Sequence, residues 1–216
     1  MTYENYSYTS YIEVVKLLLN DPLVDPSAYN NHAIRWASEN GYTEIVKLLL
    51  NDPRVDPSDN DNHAIQLASK MGHTEVVRIL LRASFGPRVD PSANNNCAIR
   101  WSCLQGHAEI VKLLLNDPRV KPNNWDIKRA CKNGHTEVVK LLLQTPCCLN
   151  DSWVDPSDDD NFAMRKTKSM VIMEMLLEKI PLFANIKIRK YRKYLIRKKY
   201  LLKLLSTKVY DYSKLF

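Results

Sequence analysis

The sequence predicts a mainly α-helical solenoid of stacked helix-turn-helix units joined by extended connectors, with a basic helix at the C-terminal end. Three observations predict it. Four of the five glycines, Gly41, Gly72, Gly106 and Gly134, recur at spacings of 31, 34 and 28 residues. Each is flanked by the same apolar pattern, and a proline-rich segment separates one copy from the next. A period near thirty residues marks supersecondary units that cannot bury an apolar face without a neighbour.

The clearest unit starts at Asn31 and reads NHAIRWASENGYTEIVKLLLNDPRVDPSDND. It begins again as NHAIQLASKMGHTEVVRILL from Asn62, NCAIRWSCLQGHAEIVKLLLNDPRV from Asn96 and NWDIKRACKNGHTEVVKLLL from Asn124. An isolated second half, YIEVVKLLLNDPLVDPSAYN, starts at Tyr11. The expected organisation is an N-terminal half repeat or cap over 1–30, an array over 31–181 with four full units and a degenerate last one, and a basic amphipathic tail over 182–216.

In the first helix, Ile34, Ile65, Ile99 and Ile127 stand three residues before Ala37, Ala68, Ser102 and Ala130, so both positions face inward and the small residue permits close helix approach. The recurring glycine then ends the helix, where a left-handed conformation costs glycine nothing. Thr43, Thr74 and Thr136 are expected to cap the second helix, with Glu44, Glu75, Glu109 and Glu137 at its positive end. Those glutamates precede Lys47, Arg78, Lys112 and Lys140 by three residues, spacing for exposed ion pairs. Runs such as Ile45-Val46 and Leu48-Leu49-Leu50 leave the second helix polar on one side only, as expected of a helix wedged between its partner and both neighbouring units.

The Asp52-to-Ser58 connector holds two prolines, which fix φ and remove backbone donors, so it is expected to be extended and turn-rich with Val55 as a buried anchor. Length changes fall in the connectors: Arg82 to Asn96 is three residues longer than Asn51 to Asn62, Asn116 to Asn124 three shorter, and Gln144 to Asn161 six longer. That last connector carries Cys147, Cys148 and Trp153. The unit after it has Val171 where glycine belongs, which suits a degenerate cap.

These residues resemble the ankyrin repeat. Its second half, Gly-His-x-Glu-Val-Val-Lys-Leu-Leu-Leu, is matched closely from Gly72 and Gly134, while its Thr-Pro-Leu-His-x-Ala-Ala first half is matched loosely as His-Ala-Ile-Arg. The resemblance covers residues 11 to about 180. The Asp-Pro-Arg-Val-Asp-Pro-Ser connector replaces the family's Gly-Ala-Asp-Val-Asn and resembles short-period arrays of large DNA viruses. The resemblance implies a protein-binding scaffold or adaptor, a monomer that uses connector tips, first-helix ends and the concave surface, with no cofactor and no small-molecule substrate.

Positions equivalent to Glu39 read Glu39, Lys70, Leu104 and Lys132, and those equivalent to Asn40 read Asn40, Met71, Gln105 and Asn133. Variable residues on a constant frame are candidate partner contacts, against tolerated drift on solvated helix ends. Trp36, Leu67, Trp101 and Arg129 form a second ladder, either an aromatic anchor for a partner or packing between first helices. Cys103 and His107, then Cys131 and His135, have zinc-ligand chemistry, but each sits at a repeat position with a structural explanation, and no metal is expected. No phosphate loop, nucleophile elbow or paired-carboxylate motif is present, so no enzymatic activity is expected.

Charge divides the chain. Residues 1 to 181 hold 20 Lys and Arg against 23 Asp and Glu, a net −3, whereas residues 182 to 216 hold 11 against 1, a net +10. Lys187, Arg189, Lys190, Arg192, Lys193, Arg197, Lys198, Lys199 and Lys203 alternate with Tyr191, Leu195 and Leu202 at helical spacing. A capping helix is one expectation. Binding of nucleic acid or an anionic membrane, or nuclear targeting, is the other. Apolar runs of three to five residues are too short to span a bilayer, and five cysteines, an odd number without a leader, suit a reducing intracellular setting, cytoplasmic or nuclear, in a host cell if the chain is viral.

Overall fold

The computed structural model describes residues 3–83, 88–145, 163, 166, 167 and 169–179. Its helices over these residues are α1 (Tyr3–Asn20), α2 (Ala28–Glu39), α3 (Thr43–Leu50), α4 (Asp59–Met71), α5 (Thr74–Arg82), α6 (Ala93–Gln105), α7 (Ala108–Leu115), α8 (Asn124–Asn133), α9 (Thr136–Gln144) and α10 (Met170–Lys179). First helices α2, α4, α6 and α8 pack side by side in one row, and α1, α3, α5, α7 and α9 form a second row, with α10 against α9. Each unit's two helices pack on each other across the rows. The mainly helical solenoid that the repeat predicts is the structure.

The core follows the repeat. Ile34, Ile65, Ile99 and Ile127 are buried with Ala37, Ala68, Ser102 and Ala130, against Val46, Val77, Val111 and Val139 of the second row. The connector anchors Val55, Val89 and Val120 are buried as expected. The half unit shows what the missing layer does: Leu18 is 47% exposed, while Leu80, at the same repeat position, is 1% exposed. No described first helix covers α1.

Four local features depart from the sequence reading. α1 starts at Tyr3, eight residues before the expected half repeat, because no glycine or proline interrupts the chain between Thr2 and Asn20. The threonines do not cap: Tyr42, His73 and His135 occupy the cap positions before Thr43, Thr74 and Thr136, with no side-chain cap bond. Thr43 Oγ1 instead donates to the Gly41 carbonyl at 3.3 Å, and Thr136 Oγ1 to that of Gly134 at 3.5 Å. Val171 lies in the first turn of α10, where Ser169 Oγ accepts from the Ile172 N–H at 3.4 Å, so a helix start stands where the repeat has a glycine turn.

The fourth departure is a one-turn left-handed segment at the head of three first helices. Tyr29-Asn30-Asn31, Asn60-Asp61-Asn62 and Asn94-Asn95-Asn96 all have φ between 52° and 61°. Asn and Asp tolerate this region best among residues with a side chain, and eight of the nine positions are Asn or Asp. The last asparagine of each turn joins neighbouring units: Asn31 Oδ1 accepts from the Asp56 N–H at 2.8 Å, Asn62 Oδ1 from Asp90 at 2.7 Å and Asn96 Oδ1 from Lys121 at 2.9 Å. The connector to α8 is three residues shorter and lacks this turn. There Asn123 caps the helix conventionally, accepting from the Trp125 N–H at 2.8 Å, while Asp126 closes the capping box.

The connectors also explain their arginine. Arg54 is held by Asp52 at 2.6 Å and donates to the Val24 and Leu19 carbonyls of the preceding connector and helix, at 2.9 and 3.0 Å. Arg119 repeats the arrangement with Asp117 at 2.7 Å and the Val89 carbonyl at 3.3 Å. In the three described Asp-Pro-Ser turns the aspartate accepts from the serine N–H, at 2.7 to 2.9 Å.

Candidate functional site

The expected contact ladders sit at the ends of the first helices, and most of their backbone already serves the fold. The carbonyls of Glu39, Lys70 and Leu104 accept from Nε2 of His73, His107 and His135 in the following unit, at 2.9, 3.2 and 2.9 Å. Asn40 Nδ2 donates to the Trp36 carbonyl at 2.9 Å, and Asn133 Nδ2 reaches the Leu104 carbonyl at 2.8 Å. Asn40, Met71, Gln105, Lys132 and Asn133 are exposed; Glu39, Lys70 and Leu104 are half-buried. The side chains of this edge remain accessible while its main chain is fixed.

The second ladder is not core. Trp36 is 48% exposed and tilts against Tyr42, ring centroids 5.2 Å apart. Leu67, Trp101 and Arg129 are half-buried. Lys70 Nζ lies 5.0 Å from the centroid of Trp101, which ties one unit's helix end to the next unit's ladder position. Trp125, which sequence reasoning passed over, carries two guanidiniums, those of Arg100 at 4.9 Å and Arg129 at 4.7 Å. The available signal was a cation one position before the ladder, at Arg35, Arg100 and Lys128.

Beneath this strip lies Asp126, fully buried, with Oδ2 accepting from the Asn123 N–H at 2.8 Å and Oδ1 lacking a partner. Burial pushes its carboxyl up to about 6, against the lowering effects of the Asn123 amide and the Arg100 guanidinium. In the unfolded chain it titrates near 3.8. Between about pH 4 and 6 the folded state therefore holds a proton that the unfolded state does not, and stability falls as pH rises through that window. Relative to wild type, Asp126→Asn is expected to gain about 2–3 kcal/mol between pH 4 and pH 7. Urea unfolding of both proteins at the two pH values measures it, and a constant difference refutes the assignment.

The cysteine–histidine pairs do not form a metal centre among the described residues, which hold no cluster of three or more His, Cys, Asp or Glu suited to an ion. Cys103 and Cys131 face the core, where burial holds the Cys103 thiol well above its ordinary range and pushes Cys131 up to about 12. His107 and His135 face the preceding unit's carbonyls. No described helix is long and apolar enough to cross a membrane. The tail cations Lys187, Arg189, Lys190, Arg192, Lys193, Arg197, Lys198 and Lys199 lie outside the described residues, as do Cys147, Cys148 and Trp153.

Two rows of short helices, bridged unit to unit through glycine, histidine and connector, define a repeat solenoid whose accessible edge suits binding. A family profile for ankyrin repeats in three copies matches residues 35–126 and again 66–152, together more than half of the chain. The chain belongs to the ankyrin repeat family. Proteins of this family generally mediate protein–protein interaction and are typically non-enzymatic scaffolds. No curated protein matches the chain.

Proposed function

We propose that the chain is a scaffold or adaptor that binds a partner protein across the row of first helices, on its concave side, using the helix ends and the Trp36–Trp101 ladder. The observation that carries the reading is the contrast within one unit. Frame positions are buried and nearly invariant, whereas the adjacent helix-end side chains change chemistry from unit to unit and reach solvent, with Trp36 and Met71 large and exposed. Exposed aromatics on a rigid frame are the usual anchors of an interface.

The test is capture of interacting proteins from cells by full-length wild type and by a Trp36→Ala, Trp101→Ala double variant. The expected result is loss of a specific captured protein, with Trp36→Ala alone changing stability by no more than about 0.5 kcal/mol. Unchanged capture by a folded double variant rejects this surface.

The charge asymmetry supports a second reading, in which the +10 tail associates with nucleic acid or an anionic membrane. Deleting residues 182–216 should then abolish salt-sensitive DNA or liposome binding while the array stays folded; an unfolded array makes the tail a cap. An intracellular, monomeric protein agrees with the three free cysteines Cys97, Cys103 and Cys131 among the described residues. The connector's resemblance to viral short-period arrays supports, on this proposal, a host cell as its setting.

A further inference from the structure

The charges of the two helix rows are arranged differently. In the second row Lys47, Arg78 and Lys140 pair with the glutamate three residues earlier, while the expected Glu109–Lys112 pair does not form. In the first row α4 contributes Lys70, α6 contributes Arg100 and α8 contributes three cations; the acids of these helices are Asp59 and Asp61 in the first turn of α4, at the opposite end from Lys70, and the fully buried Asp126. Among the described residues, Lys70, Arg100, Arg129 and Lys132 are in no ion pair.

Three of these four cations are instead held over indoles, Lys70 on Trp101, Arg100 and Arg129 on Trp125. A cation–π contact keeps the charge while restricting the side chain. Such heads lose less freedom when an anion arrives, and a guanidinium meets a carboxylate in a bidentate fork.

We infer that the strip from Lys70 through Trp101, Arg100, Trp125 and Arg129 to Lys132 docks an acidic, extended peptide segment of the partner protein; this rests on the protein-binding reading above. The strip crosses three first helices, which at the usual helix spacing is about 20 Å. An extended chain rises about 3.3 Å per residue, so some six to eight residues span it. Single-stranded nucleic acid fits less well, because base stacking needs bare aromatic faces and here both indoles carry cations.

The test uses the full chain, with indole fluorescence and calorimetry to follow binding of an octapeptide of alternating Glu and Ser, its Gln-for-Glu counterpart, and an oligo-thymidine. Variants are Arg100→Ala with Arg129→Ala, Lys132→Glu, and a tail form with Lys187, Arg189, Lys190, Arg192 and Lys193 changed to Gln. The acidic peptide should bind better than the Gln peptide, weaken with salt, and lose roughly tenfold or more in affinity in the strip variants but not in the tail form. Thermal unfolding shows whether each variant is folded, and Lys132→Glu, at an exposed position, keeps the test open if the arginine pair destabilises the array. Equal binding of the Gln peptide, loss only in the tail form, or tighter binding of the oligonucleotide to the strip overturns the inference. If a cellular partner is lost from the Trp36→Ala, Trp101→Ala variant yet captured normally by the strip variants, protein binding stands and the acidic segment does not.

Discussion

Truncating Leu80 to alanine is expected to destabilise the array by about 2–5 kcal/mol, whereas the same truncation at Leu18 should cost less than about 1 kcal/mol. Both leucines occupy one repeat position on a second-row helix. Leu80 is enclosed by its own first helix α4 and by the neighbouring units, and is 1% exposed. Leu18 has α3 beside it but no described first helix over it, and is 47% exposed. The cost at Leu80 combines lost transfer free energy with a cavity that the packed rows on either side cannot collapse. Because each unit touches only its neighbours, the damage should be local. Hydrogen exchange should accelerate in α4 to α7 first, while α9 retains protection longer. Urea unfolding gives the magnitudes; equal costs at the two leucines would show that the repeat position, and not the enclosing layer, sets the energy.

The frame was legible because it is made of short-range, periodic choices. The Ile-x-x-small spacing of the first helices, the glycine that reverses the chain and the buried connector valine each follow from a local rule, and each recurs three or four times among the described residues. What stayed hidden joins one unit to the next. The His73 Nε2 bond to the Glu39 carbonyl connects residues 34 apart, and the Arg54 clamp on Leu19 connects residues 35 apart. Neither distance can be read before the stacking register is known. The left-handed turns were hidden for a different reason. Helical dihedrals of the wrong hand are disfavoured for every residue with a side chain, and only the clustering of Asn and Asp at residues 60–62 and 94–96 marks them. The three-residue deletion before α8 was visible as a length change, but its meaning, the replacement of that turn by a capping box at Asn123 and Asp126, was not.

The binding edge was legible in part. Comparing units singled out Lys70, Trp101, Lys132 and Arg129, all on the cationic strip, because variability on a constant frame is a sequence property. Trp125 and Arg100 were missed, since Trp125 stands where other units have His32, His63 and Cys97, and a pairing across α6 and α8 appears only when the helices lie side by side. Charge counting also misled. Residues 1 to 181 are net negative, yet the first helices from Asn62 to Asn133 present cations, because most acids sit in connectors and on second-row helices, while Asp59 and Asp61 lie in the first turn of α4 and Asp126 is buried. Net charge averages over faces that a partner meets separately.

Gly106→Ala is expected to cost about 3–4 kcal/mol and Gly134→Ala only about 1–2 kcal/mol, although both glycines end a first helix in the same left-handed conformation, φ 85° and 80°. The shared part is backbone strain, which any Cβ incurs at that φ. The difference is the next unit. A Cβ on Gly106 would lie 2.5 Å from Nδ1 of His135, whose Nε2 donates to the Leu104 carbonyl at 2.9 Å. The ring cannot swing aside without breaking that bond, which contributes about 1 kcal/mol, and without loosening its packing against α6. At Gly134 a Cβ meets nothing within 4 Å among the described residues, so strain alone remains. The rescue variant separates the two terms. With His135 changed to alanine, Gly106→Ala should cost no more than Gly134→Ala, since the obstructing ring is gone while φ is unchanged. Thermal and urea unfolding of the four proteins closes the cycle. If Gly106→Ala costs the same with and without His135, the glycine serves only the turn. If the cost drops as expected, one atom fewer at Gly106 is what lets successive units come into register, and glycine and histidine of adjacent repeats act as a single joint.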